Sequence, residues 1–180
     1  FQSTDYGTFE TFSEEFFKGM AIIHNAVSLA YAERVGIRYL DAVVPKEGEK
    51  GLPKYLVPQV LGLADKLPDA INVTHSFTET HFQAKTGRVL ARTMIQNGPL
   101  GFPMDLQPVG MALAPRFSGV KGVHAILDTD ASYEVRQDFD MAKLSECLKG
   151  LHDDIRVAFD ATVTPHALKT WNRKFSGETI

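Results

Sequence analysis

Apolar residues return along this chain at two different periods, and the change of period divides it into elements. From Thr8 they recur at steps of three and four, at Phe9, Phe12, Phe16, Met20, Ile23, Val27 and Ala30, the stripe of a helix packed on a core along one face. Thr8 or Thr11 caps its start, Glu14 and Glu15 occupy early turns where carboxylates favour the positive end of the dipole, and Gly36 marks the stop. A second helix follows Asp140 as its cap, with Leu144, Leu148, Leu151, Ile155 and Phe159 as its stripe, and Thr164-Pro165 opens a short last helix with proline at the first helical position. Between them the period falls to two. Residues 37–44, 73–83, 88–96 and 123–130 read as strands, the middle two joined by the turn Ala84-Lys85-Thr86-Gly87. Residues 1–7 read as the end of a further strand.

The connections are long and rich in breakers. Residues 46–68 hold Pro53, Pro58, Pro68, Gly48, Gly51 and Gly62, with one short helix around 57–63, and residues 97–117 hold Pro99, Pro103, Pro108 and Pro115 and read as loop or broken edge structure. Hairpins without βαβ alternation give an α+β fold: a mainly antiparallel sheet with two long amphipathic helices packed on it and a short C-terminal helix. The chain of 180 residues has the bulk for one core, since a folded chain of 19.9 kDa exposes about 8,700 Å² against roughly 29,000 Å² unfolded. Residues 1–180 therefore form a single domain, and the abrupt Phe1 suggests that an N-terminal portion is missing.

Composition narrows the function classes. The longest apolar stretch, residues 20–32, is broken by His24, Asn25 and Ser28, so no membrane span is encoded. The lone Cys147 excludes an intrachain disulfide, and with no leader pattern it points to the cytoplasm. It sits between Leu144 and Leu148 as a small core residue. With 19 Lys plus Arg against 22 Asp plus Glu, the net charge of -3 supplies no basic field for non-specific nucleic-acid binding.

Three polar constellations are candidates for chemistry. In His75-Ser76-Phe77-Thr78-Glu79-Thr80-His81 the strand period puts His75, Phe77, Glu79 and His81 on one face. Glu79 and His81 can form an acid-base pair or share a metal, with His124, Asp128 or Asp130 from another strand completing the set. Asp128-Thr129-Asp130 ends an apolar strand with both carboxylates and His124 on one face, suited to a divalent cation or to divided acid and base roles. The candidate catalytic residues are thus Glu79, His81, Asp128 and Asp130, and the candidate metal ligands His81, Glu79, His124 and Asp128. Arg38 and Tyr39, at the helix-to-strand junction, are candidate binding residues. A strand arginine among apolar neighbours needs a partner, so Arg38 is expected to clasp Asp128 or Asp130 across strands. The chain has no phosphate loop, no nucleophile elbow and no H-E-x-x-H helix.

The segment Glu33-Arg34-Val35-Gly36-Ile37-Arg38-Tyr39-Leu40-Asp41 resembles the E-R-x-G-x-R-Y-[IL]-[ND] segment of a sporadically distributed family of bacterial proteins. Thr4-Asp5-Tyr6 with Phe9-Glu10-Thr11-Phe12, the apolar-D-x-D strand Leu127 to Asp130, and the closing pattern from Leu151-His152 to Phe159 and from Val163-Thr164 to Trp171 are similar to that family in the same order. The resemblance implies a further N-terminal portion and an accessory or defence-related role, and it brings no reaction with it. Two functions are expected from the residues. The first is a non-catalytic domain that binds a protein partner or assembles with itself through sheet edges and proline-rich loops, without a cofactor. The alternative is a metal-assisted hydrolase or nuclease-like enzyme built on the His/Glu/Asp cluster with a divalent metal.

Overall fold

The computed structural model describes residues 1–46, 49, 51–68, 70–107 and 109–172; Gly48 and Pro108, two of the breakers read above, lie outside the described residues. The fold is α+β. Helix α1 (Phe9–Val27) leads to strands β1 (Tyr31–Ala32) and β2 (Val35–Val43). A short α2 (Pro58–Leu61), with 3-10 turns at Leu52–Lys54 and Gly62–Asp65, precedes the hairpin of β3 (His75–Gln83) and β4 (Arg88–Asn97). A one-turn α3 (Pro115–Ser118), strands β5 (Val123–Tyr133) and β6 (Gln137–Asp138), and helices α4 (Met141–Thr162) and α5 (Pro165–Thr170) complete it. The sheet order is β2-β5-β4-β3, every pair antiparallel, and a two-residue β1–β6 ladder lies beyond the β2–β5 ribbon.

Alternation along the strands makes two faces of different character. On the inner face Ile37, Val89 and Ala131 meet Leu148, Leu151, Ile155 and Ala158 of α4. Towards the other end of the strands, Val43, Ile95, Ala125 and Leu127 meet Leu52, Tyr55, Leu56, Leu61, Ala167 and Leu168. Full burial of a leucine such as Leu56 or Leu151, neither of which retains any exposure, contributes roughly 1.5–3 kcal/mol. Residues 52–61 of the long connection are thus a wall of the core.

A buried polar device adds to the apolar contacts that place helix α4 on the sheet. The Asp154 carboxylate accepts the backbone N–H groups of Thr86 (2.9 Å) and Gly87 (3.1 Å), the tip of the β3–β4 hairpin. Gly87 lies so close to α4 and β5 that an added Cβ would stand 2.5 Å from Leu151 Cδ2. The absence of a side chain is what lets the turn seat.

Asp140 and Thr164 cap α4 and α5 as their side-chain positions predict, and Thr8 caps α1. The end of α1 differs from expectation. It stops at Val27, where Ser28 adopts φ 51° and its N–H bonds His24 O, so Ala30 lies beyond it and Gly36 falls within β2. Residues 30–32 instead join β6, with Phe139 N–H donating to Ala30 O and the Arg136 guanidinium 3.7 Å above the Tyr31 ring. Nor do residues 1–7 form a strand: Phe1 rests on Phe12 and Tyr6 on Tyr39. Helix α1 buries no residue fully; Phe9, Phe12, Phe16 and Phe17 pack at the margin of the α4 cluster, while Ile22 and Val27 stay 71% and 64% exposed. Among the described residues no helix is long and apolar enough to cross a membrane.

Candidate functional site

The outer sheet face carries every candidate except Tyr39. Cross-strand register arranges its side chains in rows from β3 through β4 and β5 to β2: Phe77, Met94, Ile126, Ala42; then Glu79, Arg92, Asp128, Leu40; then His81, Leu90, Asp130, Arg38. Charged groups of alternating sign therefore stand side by side in the middle of a sheet. The loop after β4 supplies one more, Asp105.

Asp128 is the centre of this network. Its side chain is 1% exposed, and a carboxylate so placed must have its oxygens occupied. Arg38 provides a fork, Nε donating to Oδ1 at 2.7 Å and Nη2 to Oδ2 at 2.8 Å, and Arg92 Nη1 donates to Oδ2 at 3.2 Å. The outer end of the Arg38 guanidinium donates to Asp105 at 2.7 Å. Asp128, followed by Asp105, raises the Arg38 pKa further above its ordinary value, and Arg38 in turn lowers that of Asp105. Arg92 continues the chain to Glu79 Oε2, 3.3 Å from Nε, and Glu79 Oε1 lies 2.9 Å from His81 Nε2. Asp130 faces Arg34 at 3.6 Å.

This geometry separates the candidates. Glu79 and His81 form a pair, and Asp128 is clasped by Arg38, as the strand arginine predicts. Glu79 and Asp128 do not converge on an open position, because the Arg92 guanidinium stands between them where a cation would sit. His124 is fully buried four residues from Asp128; one ring nitrogen, Nδ1, is 3.0 Å from Gly122 O, and Nε2 has no partner among the described residues. At the strand rise that separation is about 13 Å, so His124 cannot join the others. Among the described residues no three His, Cys, Asp or Glu side chains are grouped to hold a metal ion.

Arg38 and Tyr39, paired as candidate binding residues, point to opposite faces. Tyr39 lies on the inner side, its hydroxyl 2.9 Å from that of Tyr6 and 3.1 Å from His152 Nδ1, while Phe9 stacks on the His152 ring at 4.2 Å. Burial raises the Tyr39 pKa, with the Tyr6 hydrogen bond adding to it, and burial lowers that of His152. This cluster fastens the N-terminal segment and α1 to β2 and α4. Cys147 is half-buried at the margin of the α4 cluster, where burial raises its thiol pKa.

Arg92, Asp105 and Asp154 escape the sequence reading. Arg92 has a local signal: a turn pairing Ala84 with Gly87 carries Glu79 directly opposite Arg92. Asp154 shows as an acid three residues after Leu151 on the apolar stripe of α4. Asp105 has no comparable signal.

The sheet's two edges are treated differently. Around β2, Tyr6 packs on the inner side, Asp105 binds Arg38 on the outer side, and Thr4 Oγ1 donates to Ala112 O at 2.8 Å, so segments from both sides meet across that edge. At β3, Ala84 N–H donates to Gly87 O and Asn97 N–H donates to Thr74 O. Alternation of the ladder then turns the even-numbered residues of β3 towards β4 and leaves the N–H and C=O of His75, Phe77, Glu79, His81 and Gln83 facing outward. All five are exposed, and among the described residues no backbone hydrogen bond reaches them. Comparison of the chain with protein-family models, curated proteins and solved structures gives no match.

Proposed function

We propose that this chain is a non-catalytic protein-interaction or self-assembling domain that receives an added strand on the open edge of β3. The observation carrying this reading is the open backbone of β3: its five outward amide and carbonyl pairs receive no backbone bond among the described residues, and the strand is braced on its inner face at Thr78, whose hydroxyl donates to Val60 O at 3.1 Å, whereas side chains from Tyr6 and Asp105 close on β2 from both faces. An edge of that kind is a template for another strand, with backbone bonds supplying affinity and alternate side chains supplying selectivity. Membership of the bacterial family resembled above rests on the order of the motifs, the accessory or defence-related role on that family's sporadic distribution, and a cytoplasmic location on the lone Cys147; all three are part of the same proposal.

The metal-assisted hydrolase reading has less support. Its central carboxylate accepts from two arginines, and its second carboxylate is engaged by Arg92 and His81. Metal occupancy at one hundred times the dissociation constant would stabilise the fold by about 2.7 kcal/mol. The melting temperature is expected to stay constant in Mn²⁺ or Zn²⁺; a reproducible rise of several degrees, lost in Glu79→Gln, would restore the enzyme reading.

The interaction reading is tested by affinity capture with wild-type and His81→Pro chains as bait. Proline at an outward N–H position leaves the β3–β4 ladder intact but blocks an added strand. Proteins retained by wild type, including copies of the chain itself, should be lost with the variant. Identical retention by both would overturn the reading.

A further inference from the structure

The β3 edge is complementary to itself in one register, and from that we infer that its occupant is a second copy of this chain, paired antiparallel through β3 about a twofold axis at Thr80. The inference rests on the strand-addition reading above and adds the partner and the register.

The residues whose backbone groups face outward are odd-numbered, so an antiparallel mate must set odd residues against odd ones. A twofold at Thr80 places Glu79 opposite the second copy's His81 and His81 opposite its Glu79, two reciprocal acid-base pairs on the outer face. Phe77 stands opposite the second copy's Gln83, and Gln83 opposite its Phe77, in the same reciprocal arrangement. These four hydrogen-bonded pairs exchange about eight backbone bonds. On the inner face Thr80 meets Thr80, and Thr78 meets Phe82, pairs of the Thr–Thr and aromatic–β-branched kinds that stabilise antiparallel sheets. The neighbouring odd-to-odd registers lack this match. A twofold at Glu79 sets Glu79 against Glu79, and one at His81 sets His81 against His81, like residues directly opposite. A shift by one residue turns outward groups against inward ones.

Glu79 is the one acidic side chain on this edge, and the other usual protections are missing from the strand. The sequence His75–Gln83 contains no proline and no lysine, and it pairs with β4 one-to-one over nine residues without a bulge, the devices by which edges are usually protected. Glu79 and His81 already contact each other at 2.9 Å within one chain. A second copy would extend that pair into an alternating quartet. The resulting assembly is a continuous eight-stranded antiparallel sheet with the strapped β2 edges at its two ends, and the twofold closes it at two copies.

The test combines sedimentation over a concentration series reaching the high micromolar range with a register probe. The wild-type chain is expected to dimerise, and Phe77→Pro, with its melt checked for folding, should weaken association about tenfold. Thr80→Cys in a Cys147→Ser background should form an intermolecular disulfide under mild oxidation, because residues facing across a non-hydrogen-bonded pair stand about 4.5 Å apart at Cα. Ser76→Cys in the same background should not, since its mate is Ala84. A wild-type chain that stays monomeric throughout overturns the inference; the strand-addition reading then survives only if capture of another protein is lost in His81→Pro. A dimer unaffected by Phe77→Pro, or cross-linking through Ser76→Cys and not Thr80→Cys, also overturns it. Failure of both sedimentation and capture overturns the inference and the underlying reading together.

Discussion

Removing Arg38 tests whether the outer-face charges hold the sheet together. In Arg38→Ala the fork at 2.7 and 2.8 Å disappears and Asp128, 1% exposed, keeps a single arginine contact at 3.2 Å. Breaking a buried pair from one side costs about 3–5 kcal/mol, since the remaining charge stays buried without compensation. Arg92 supplies part of that compensation, so we expect about 2–4 kcal/mol, and at 2–4 °C per kcal/mol for a chain of this size the melt should fall by roughly 10 °C. Urea denaturation should show a lower midpoint at unchanged slope, the mark of altered stability without altered compactness. Arg38→Lys should recover only part, because an ammonium cannot reproduce the fork. Replacing both partners by apolar residues, as in Arg38→Met with Asp128→Leu, should be less damaging than Arg38→Ala alone, giving a clear coupling energy in the double-mutant cycle. The loss should persist in high salt, which screens the exposed Lys18–Glu14 pair but reaches the buried one weakly. An Arg38→Ala melt within about 1 °C of wild type, with no coupling in the cycle, would refute the structural role.

Three further outcomes follow from other parts of the molecule. Asp154→Ala leaves the Thr86 and Gly87 N–H groups without their acceptor and should cost about 1–3 kcal/mol in chemical denaturation, with faster amide exchange at the hairpin tip. Gly87→Ala should destabilise comparably through overlap with Leu151 and Ser132 O, while Gly7→Ala, with open space around it, should be silent. Partial burial holds the His152 pKa below its free value of about 6.5, so its neutral form costs nothing above that pH, and stability drains as pH falls through about 6.5 towards the lower folded value. The stability advantage of wild type over His152→Phe should therefore shrink on acidification, and an advantage that grows as pH falls would contradict the assignment.

Local rules go far in this chain and stop where register begins. The apolar periods locate both long helices and all four strands of the main sheet, and the caps at Thr8, Asp140 and Thr164 follow from side-chain chemistry alone. The expected helix stop at Gly36 fails because glycine is only one way to leave a helix: Ser28 turns left-handed, and the β1–β6 ladder supplies bonds that further helix would forgo. The stripe of α1 likewise predicts a buried face, yet α4 already covers the sheet and leaves α1 only its margin. For the candidate site, same-face grouping of Glu79 with His81, and of Asp128 with Asp130 and His124, is a property of period two and is legible. Which of them meet is not. Glu79–Arg92 follows from the hairpin turn, but Asp128 meets Arg38 through a β2–β5 pairing that spans 90 residues and no turn specifies.

In the proposed dimer two of the four candidate catalytic residues, Glu79 and His81, set how strongly the β3 edge associates. About eight new backbone bonds at roughly 0.5–1.5 kcal/mol each amount to about 4–12 kcal/mol. Loss of translational and rotational freedom costs on the order of 4–15 kcal/mol, so the two terms nearly cancel and side-chain matching decides whether a dimer forms. Glu79 and His81 are polar enough to keep an unpaired edge hydrated and matched enough to tip the balance in one register only. Association through this edge should therefore be reversible and micromolar or weaker, with Phe77→Pro removing two bonds and about a tenfold factor. A nanomolar dimer would need several kcal/mol more than the edge can supply, and it would place the interface elsewhere, with the exposed Ile22 and Val27 of α1 as the first surface to probe.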